Sequence, residues 1–310
     1  MSPIAEQEEL VAARYGQFVV KRDDHIGLHL KRFGVFQGNN LRMLLEFIRP
    51  DDCVVEVGAH IGTFTVPFAT RVAHKGRVCA FEAYDPTCRL LKHNIAINHC
   101  GDRVQVYHLL VTDEPGEYIP VTVEGNTGAT TFLYKVGGVL SSCESTIRLD
   151  DWWAHHAAND GEKASAVNVM KLDCEGMELR VLRSAQSVLE RFRPVMLIEI
   201  NRRNLARHNA TMEDIERLLR AYGYHFFINL YRGHEERYKL GRLRRLTEGG
   251  HGFDILAVHP GSQRYPGRHT GPWSTGIRTR SRLLWSALTY KVGSAWQRIR
   301  GVAQTATRRG

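Results

Sequence analysis

Apolar runs alternate with amphipathic segments over most of the chain. Short apolar runs predict strands at 53–57, 77–82, 103–110, 167–172, 195–200, 224–230 and 253–258. Apolar positions at helical spacing predict helices at about 62–72, 86–98, 177–191 and 211–222. Strands that alternate with helices in this way are typical of βαβ units, which build a mostly parallel sheet covered on both faces.

This order predicts an α/β fold with a doubly wound, mostly parallel sheet of seven strands. The segment between the last two strands is too short for a helical crossover, so we expect the last strand to run antiparallel to its neighbours. In such a sheet, ligands bind beyond the carboxyl ends of the strands, near the point where the strand order reverses. The loop after the first strand is therefore the first place to search for a site.

The rest of the chain divides around this central domain. Residues 4–15 have the spacing of a short amphipathic helix, and residues 17–22 and 26–33 are interpreted as two strands around an Asp23-Asp24 turn. We therefore predict the following organisation: an N-terminal helix and hairpin lid at 1–40, the central domain at 41–260 with a β-rich insertion at 111–152, a linker at 261–278 and a basic amphipathic tail at 279–310.

Charge is divided unevenly along the chain. Of the formal net charge of +9, the last fifty residues contribute ten basic side chains and no acidic one, so residues 1–260 sum to −1. A nucleic-acid substrate calls for a basic surface on the catalytic body, which makes that class of partner improbable here. The tail pattern suits a helix on an anionic membrane surface, docking on protein, or a disordered segment.

Cysteine usage and the N-terminus bear on localisation. The six cysteines show no C-x-x-C pair, which favours reduced thiols over a disulfide framework. The first ten residues are acidic and lack the apolar stretch of a signal peptide, and no run has the roughly 18 apolar residues that span a bilayer. We expect a cytoplasmic protein, peripheral on the inner face of the membrane if its tail binds there.

The loop after the first strand reads VVEVGAHIGTF and carries the first candidate chemistry. Its glycines, Gly58 and Gly62, superficially match a dinucleotide-binding loop, but His60 stands where that loop needs a glycine against the pyrophosphate. Glu56 adds a negative charge that repels a diphosphate and attracts an ammonium or sulfonium group. S-adenosylmethionine carries both cations and no phosphate, so we predict it as the cofactor.

Two further acidic residues lie where a nucleoside needs them. Glu82 ends the second strand, 20 residues after Gly62, a position suited to hydrogen bonds from ribose hydroxyls. Asp113 follows the third strand, where its carboxylate can accept the adenine amino group. His60 is assigned to the cofactor loop. The predicted cofactor-binding residues are Glu56, Gly58, His60, Gly62, Glu82 and Asp113.

Several motifs together resemble the FkbM-type methyltransferases, a branch of the class I S-adenosylmethionine-dependent superfamily. They are VVEVGAHIGTFTVPFA, FEAYDPTCRLLKHNIAIN, STIRLDDW and VNVMKLDCEGMELRVLRSA followed by PVMLIEIN, and the resemblance covers about residues 15–258. The block at 171–178 is the most particular. The resemblance implies a Rossmann-like fold and O-methylation of a hydroxyl on a sugar, glycolipid or polyketide. It also implies that Asp173, Glu175 and Gly176 face the substrate.

Carboxylates after the fourth and fifth strands are the candidates for catalysis. Methyl transfer needs orientation of donor and acceptor, and a base that removes the proton of the acceptor hydroxyl. Asp173 is the first candidate for that base, with Glu175 and Glu199 as alternatives. The pair Asp173 and Glu175 also suits a divalent cation or the N-terminal capping of the next helix. No histidine spacing predicts a metal site.

The leading hypothesis is therefore an O-methyltransferase that acts on a small-molecule or glycan hydroxyl. Two alternatives stay open at this point: a nucleic-acid methyltransferase, and a non-catalytic binding module that keeps the fold and uses its tail as a membrane anchor.

Overall fold

A mixed eight-stranded sheet with helices on both faces forms the centre of the protein. The computed structural model describes residues 6–73, 75–134, 145–159 and 166–266. The strands are β1 (Glu8–Ala13), β2 (Gly16–Lys21), β3 (Cys53–Val57), β4 (Arg77–Phe81), β5 (Val104–Tyr107), β6 (Leu110–Val111), β7 (Tyr118–Val123), β8 (Asn126–Tyr134), β9 (Thr146–Ile147), β10 (Val169–Leu172), β11 (Val195–Asn201), β12 (His225–Asn229), β13 (Leu240–Leu243) and β14 (Gly252–Val258). The sheet order is β13-β12-β14-β11-β10-β3-β4-β5.

Nine α-helices lie within the described residues. They are α1 (His25–Phe33), α2 (Gly38–Leu45), α3 (Thr65–Arg71), α4 (Asp85–Ile97), α5 (Leu149–Asn159), α6 (Glu178–Ser184), α7 (Gln186–Phe192), α8 (Arg202–Arg207) and α9 (Met212–Ala221). The expected α/β architecture is thus confirmed, and most central elements lie within a few residues of their predicted bounds.

The central strands form because their side chains bury on both faces of the sheet. In β3, Val55 and Val57 pack into one core while Val54 packs into the other. β3, β4, β5, β10 and β11 are parallel, whereas β14 runs antiparallel to both β11 and β12 as predicted. The carboxyl ends of the parallel strands therefore share one edge of the sheet.

The sheet has one strand more than the seven predicted. β13 pairs antiparallel with β12 at the outer edge. Its sequence, LGRL, lies within a strongly basic stretch and contains a glycine, so it lacks the β-branched alternation that signals a strand. Pairing with β12 supplies the stability that the local sequence does not indicate.

The predicted N-terminal helix at 4–15 is wrong. Glu8–Ala13 forms β1, which pairs antiparallel with β2, and only Val11 of this strand is fully buried. β2 carries the buried run Phe18-Val19-Val20 and offers a free edge, so long-range pairing overrides the local helical spacing. Asn94 of α4 fixes β2 through a hydrogen bond from the Val19 amide to its Oδ1 (2.7 Å).

The predicted strand at 26–33 is also wrong, because this segment is the helix α1. Asp24 caps its N-terminus, accepting a hydrogen bond from the Ile26 amide at 3.1 Å. Ile26 and Leu30 bury one face while Leu28 is 46% exposed, so the apolar alternation that suggested a strand reflects helical i, i+4 spacing plus one exposed leucine. The N-terminal hairpin exists, but β1 and β2 form it.

One predicted helix is divided in the structure, and the predicted β-rich insertion contains the start of a helix as well as strands. The helix expected at 177–191 is divided at Ala185 into α6 and α7. Within the 111–152 excursion, β7 and β8 pair as an antiparallel hairpin. The α5 helix begins inside the same excursion, at Leu149.

The end of the described chain is fixed to the domain. Arg264, in the predicted linker, donates to both carboxylate oxygens of Asp52 (2.6 and 2.5 Å) and to the Phe47 carbonyl. Asp52 directly precedes β3, so this anchor lies at the edge opposite the carboxyl ends of the strands. The predicted tail at 279–310 lies outside the described residues. Among those described, no helix is long and apolar enough to cross a membrane.

The described cysteines are all free thiols. They are Cys53, Cys79, Cys88, Cys100 and Cys174, of which the first four are buried. Cys143 lies outside the described residues.

Candidate functional site

Buried charged side chains collect at the carboxyl edge of β3 and β10. The two strands are parallel, and their register sets Glu56 beside Lys171. Both side chains follow an apolar residue two positions earlier, Val54 and Val169, so they point to the same face of the sheet. The strand period thus brings a carboxylate and an ammonium together inside an otherwise apolar layer.

Lys171 is the central cation of this edge. Its Nζ lies 3.6 Å from Glu56 Oε1, 3.2 Å from Asp173 Oδ2 and 4.8 Å from the centre of the Phe64 ring. Burial by itself lowers the pKa of Lys171, but the carboxylates of Asp173 and Glu56 outweigh burial and raise the pKa above its ordinary value. The lysine therefore stays charged and stabilises the buried carboxylate of Glu56 and the partly buried carboxylate of Asp173.

Glu56 has one satisfied and one unsatisfied oxygen. Thr65 donates to its Oε2 at 2.7 Å, while Oε1 accepts no hydrogen bond from the described residues. Burial raises the pKa of Glu56 to about 7, against the opposing effects of Lys171 and Thr65. The ammonium of Lys171, 3.6 Å away, balances the charge of Oε1, and a buried carboxyl of this kind also suits a cationic ligand.

A small cleft opens beside this charged edge. Its walls are mainly apolar and include Val57, Phe81, Val111, Phe132 and Met177. Apolar walls of this kind suit a flat heterocycle. The cleft is bounded by Gly58 on one side and by Glu82 at the end of β4.

Glu82 is held in place by three donors from the protein. Its Oε1 accepts from the Tyr84 amide (2.9 Å) and the Thr87 hydroxyl (2.8 Å), and its Oε2 accepts from the His60 amide (2.7 Å). Burial raises the pKa of Glu82, and these hydrogen bonds oppose the rise. Two carboxylate oxygens offer about four acceptor positions, so one remains for a ribose hydroxyl.

The glycines of the loop are required by its geometry. Gly58 has φ +81°, and a Cβ there would lie 1.8 Å from the carbonyl oxygen of Asp173. Gly62 has φ +91°. The β3 loop therefore lies directly against the loop after β10, and the cofactor-loop residues and the predicted catalytic residues meet at one place.

Asp173 and Glu175 lie on the other side of this meeting point. Glu175 has a left-handed backbone, φ +53°, and its Oε2 accepts a hydrogen bond from Asn204 Nδ2 at 2.5 Å. Burial, followed by the charges of Asp173 and Glu178, raises the pKa of Glu175 to about 8. Two carboxylates close to each other thus face the space beyond Gly58.

The capping role considered for Asp173 and Glu175 is wrong. α6 begins at Glu178, and its N-cap residue, Met177, makes no side-chain capping hydrogen bond. Glu178 instead accepts hydrogen bonds on Oε1 from the amides of Cys174 (3.0 Å) and Gly176 (3.2 Å). Because Glu178 holds this turn, the two earlier carboxylates make other contacts, Asp173 with Lys171 and Glu175 with Asn204.

The carboxylates of Asp173, Glu175 and Glu199 form a compact group. One oxygen from each lies within 4.8 Å of the others. Glu199 follows Leu197 on the same face of β11 and pairs across the sheet with Asp254 of β14. This grouping keeps the alternative of a divalent cation open beside that of a base.

The hairpin strand β8 lies across both halves of the site. Thr127 Oγ1 is 2.9 Å from His60 Nε2 in the cofactor loop. Thr131 Oγ1 donates to the Glu175 carbonyl at 3.0 Å and also contacts His208 Nε2 at 2.9 Å. One strand of the insertion thus joins the β3 loop to the β10 loop.

Asp113 lies outside the cleft wall. Its carboxylate pairs with Arg180 at 3.3 Å, and its carbonyl accepts from Arg148 at 2.9 Å. The neighbouring Thr112 points inward and contacts the Tyr118 hydroxyl. The adenine contact assigned to Asp113 stays a prediction, whereas Glu56, Gly58, His60, Gly62 and Glu82 come together around the β3 loop.

Sequence reasoning missed three residues that organise the site. Lys171 had a visible signal, a lone charge in the apolar run VNVMKL. Asp24 and Thr127 had none, because they meet only in the folded chain, where the Thr127 hydroxyl donates to Asp24 Oδ1 at 2.9 Å.

Comparison with known families bears on this geometry. A family model described as the methyltransferase FkbM domain matches residues 56–226, which is more than half of the chain. The chain belongs to the FkbM methyltransferase family. The match begins at Glu56 and includes both the β3 loop and the 171–178 block, so it confirms the resemblance seen in those motifs.

Individual relatives are more distant than the family match. A tRNA(Phe) (4-demethylwyosine(37)-C(7)) aminocarboxypropyltransferase from Pyrococcus horikoshii is 36% identical over 76 residues, covering 24% of this chain and 27% of that protein. The chain therefore spans about a quarter of the curated relative it matches.

Two solved structures are distantly similar to the chain. A methyltransferase FkbM from Methylobacillus flagellatus KT has a TM-score of 0.43 at 16% identity, covering 73% of this chain and 48% of that one. An O-methyltransferase from Bacillus cereus, solved with S-adenosylhomocysteine, has a TM-score of 0.39 at 16% identity and covers 71% and 80%.

S-adenosylmethionine is the cofactor of this methyltransferase family, and the FkbM domain described here fits it. The apolar cleft ending at Glu82 suits an adenosine group. The buried carboxyl of Glu56 suits a cationic group, and none of the described residues that line the cleft is basic, so they offer no partner to a phosphate.

Proposed function

We propose that the protein is an S-adenosylmethionine-dependent O-methyltransferase whose acceptor is a hydroxyl of a sugar, glycolipid or polyketide. The observation that carries the proposal is the group of carboxylates beside the cofactor cleft. Carboxylate oxygens accept hydrogen bonds from hydroxyl groups and orient them without any need for a phosphate-binding residue.

The chain's own residues supply orientation. When bound, the cofactor supplies an electrophilic methyl group on a sulfonium. Glu82 and the apolar walls of the cleft fix the nucleoside, and Gly58 allows the two loops to approach closely. Asp173 and Glu175 then orient the acceptor hydroxyl for in-line attack, where correct placement supplies up to about 7–11 kcal/mol of the barrier reduction.

The charge of the acceptor side defines the class of acceptor. Six carboxylates and one lysine surround this edge: Glu56, Asp173, Glu175, Glu178, Glu199, Asp254 and Lys171. Burial raises the pKa of Asp254 to about 7, with the Asp173 charge adding to the effect. Carboxyl groups that outnumber the single lysine offer hydrogen bonds to hydroxyl and amino groups and little positive charge for a phosphate, which favours acceptors such as sugars and amino sugars.

Nucleic acid is the second candidate because one relative, by its name, acts on tRNA(Phe). The acidic edge counts against it, since RNA binding depends on basic contacts to phosphates. The two candidates give opposite results in one experiment.

The test uses the full chain with methyl-labelled S-adenosylmethionine. The acceptors are methyl glycosides of neutral sugars, methyl glycosides of amino sugars, a hydroxylated macrolide and total tRNA. We expect label in a glycoside or macrolide fraction. Label in tRNA alone, or in none of the fractions, would overturn the proposal.

The basic tail carries a separate proposal, that residues 279–310 hold the enzyme at an anionic membrane surface. The support is the amphipathic pattern of the sequence and its seven basic residues, with no acidic one. The anchor between Arg264 and Asp52 lies away from the cofactor cleft, so removal of the tail should leave the cleft intact. Deletion of 279–310 should abolish sedimentation with phosphatidylserine vesicles and leave S-adenosylhomocysteine binding unchanged; equal sedimentation of both proteins would refute the anchor.

A further inference from the structure

A chain of hydrogen bonds joins three distant segments above the cofactor loop. Asp24 Oδ1 accepts from the Thr127 amide (2.8 Å) and from the Thr127 hydroxyl (2.9 Å). The same Thr127 oxygen lies 2.9 Å from His60 Nε2. Asp24 also caps α1 through its second oxygen, so its carboxylate is fixed in position.

This network assigns the tautomer of His60. The single hydroxyl proton of Thr127 is donated to Asp24, so the oxygen can only accept from His60. His60 Nε2 therefore carries the ring proton, and Nδ1 carries a lone pair. Nδ1 is buried and has no hydrogen-bond partner among the described residues. A buried acceptor without a donor costs stability, which points to a ligand that supplies the donor.

The ring belongs to the loop between the cofactor cleft and the carboxylates of the acceptor side. His60 is between Gly58 and Gly62, its amide binds Glu82, and it interacts electrostatically with Asp173 and Lys171. Burial lowers the pKa of His60 to about 4, against the opposing charges of Asp24 and Asp173. The imidazole is therefore neutral at neutral pH, and its lone pair is available.

Asp173 is differently placed for proton transfer. Its carboxylate lies 3.2 Å from the ammonium of Lys171, which stabilises the charged form and occupies one oxygen. Asp173 is therefore well placed to orient a hydroxyl, while His60 offers an acceptor atom that no protein group occupies.

We propose that His60 is a catalytic residue whose Nδ1 accepts a hydrogen bond from the acceptor hydroxyl and takes its proton during methyl transfer. The inference rests on the proposed function. The hydroxyl oxygen forms a bond to the methyl carbon, the carbon–sulfur bond breaks, and its electron pair remains on sulfur. The proton moves to Nδ1, while Nε2–H stays hydrogen-bonded to Thr127 and, through it, to Asp24.

The charge balance and the basicity of the ring agree with this role. One positive charge disappears at the sulfonium and one appears on the imidazolium, so the net charge of the pocket is unchanged. The hydroxyl becomes strongly acidic only as the new carbon–oxygen bond forms, and a weakly basic imidazole then accepts its proton. Asp24, reached through Thr127, stabilises the imidazolium as an orienting carboxylate does in other histidine relays.

The first test is nuclear magnetic resonance of protein labelled with ¹⁵N-histidine and bound to S-adenosylhomocysteine. His60 signals are assigned by their loss in His60→Asn, since asparagine tolerates the left-handed backbone at this position (φ +51°). We expect a neutral ring protonated at Nε2 at neutral pH. Thr127→Val should remove the preference of His60 for protonation at Nε2. Thr122→Val, on the exposed part of β7, should leave that preference unchanged. A ring protonated at Nδ1, or an imidazolium, would overturn the proposal.

The second test is kinetic, on an acceptor found in the labelled-methyl assay. His60→Asn should lower kcat by about 10²–10⁴-fold, the usual contribution of a positioned base, and this loss should be much larger than any change in the Kd for S-adenosylhomocysteine. Thr127→Val should lower kcat less and should alter the pH–rate profile. A kcat near that of the unmodified enzyme in His60→Asn would refute the proposal. If no acceptor is methylated by the unmodified enzyme, the proposed function fails and the resonance result decides the state of His60.

Discussion

The two halves of the site are built in opposite ways. The cofactor half takes its polar residues from a continuous stretch, Glu56 to Glu82, and adds apolar walls from later segments such as Val111 and Phe132. The acceptor half uses charged residues from β10, β11 and β14, together with a hairpin strand inserted far away in sequence. The polar residues of the first half are close together in the sequence, whereas those of the second come together only after folding.

The difference also concerns energy. In the cofactor half, Glu82 has three protein donors, so its burial is largely compensated. In the acceptor half, carboxylates such as Glu175 and Glu178 have raised pKa values because burial and like charges add together. Carboxyl groups with raised pKa values are typical of functional sites. Variants on the acceptor side should therefore change the free energy of unfolding more than variants on the cofactor side.

The largest expected effect is that of Lys171→Met. Loss of the ammonium leaves Glu56 and Asp173 buried without their cation, and removal of one partner from a buried ion pair costs about 3–5 kcal/mol. Urea unfolding measures the change. Lys92→Met, at an exposed position of α4, is the control and should stay close to the unmodified protein. Equal free energies of unfolding for the two variants would contradict the proposed difference between the acceptor half and the cofactor half.

A pH dependence should follow from Glu178 at the acceptor side. Burial raises its pKa from 4.5 to about 7, so its neutral form is favoured in the folded state. The stabilisation is full below about pH 4.5 and is lost as the pH rises through about 7, a change on the order of 3 kcal/mol.

The matched variant for this prediction is Glu178→Gln. Its amide oxygen can still accept from the Cys174 and Gly176 amides, but the group no longer titrates. Unfolding free energies measured in acid and at neutral pH should therefore fall less steeply in this variant. Glu190→Gln, exposed on α7, should retain the full slope, and an unchanged slope in Glu178→Gln would show that the carboxyl titrates normally.

A moderate effect is expected on the cofactor side from Glu82→Ala. Loss of a hydrogen bond to a charged group costs about 1.5–3 kcal/mol. The Kd for S-adenosylhomocysteine should therefore rise roughly ten- to a hundredfold. Calorimetric titration measures the Kd, with Glu124→Ala at the exposed hairpin turn as control. Unaltered affinity in a folded Glu82→Ala protein would refute the ribose assignment.

The smallest effect is expected from Thr131→Val, which separates the hairpin from the acceptor loop. The variant loses hydrogen bonds to the Glu175 carbonyl and His208, and unfolding should become easier by about 1 kcal/mol. The Kd for S-adenosylhomocysteine should not change, because Thr131 contacts only the acceptor side. A weakened Kd would show that the hairpin serves both halves equally.

The polar positions of the proposed cofactor half can be recognised in the sequence because they depend on local features. An apolar strand, two glycines and a carboxylate at the next strand end are all visible in Glu56, Gly58, Gly62 and Glu82. The central strands are visible for the same reason, since burial on both faces produces uninterrupted apolar runs such as VMLIEI.

The remaining features depend on contacts between distant residues. β1 is a strand because β2 offers it an edge, and α1 is a helix because Asp24 caps it. The link from Asp24 through Thr127 to His60 joins residues up to 103 positions apart, which no spacing rule reveals. β13 has too little β-forming character to be recognised without β12.

The most direct test of the central claim is calorimetric titration of the full chain with S-adenosylhomocysteine and, in parallel, with NAD. The acidic edge at Glu56 and the bulk of His60 in the β3 loop predict binding of the first ligand and none of the second. Binding of NAD, or no binding of S-adenosylhomocysteine to the folded protein, would contradict the account.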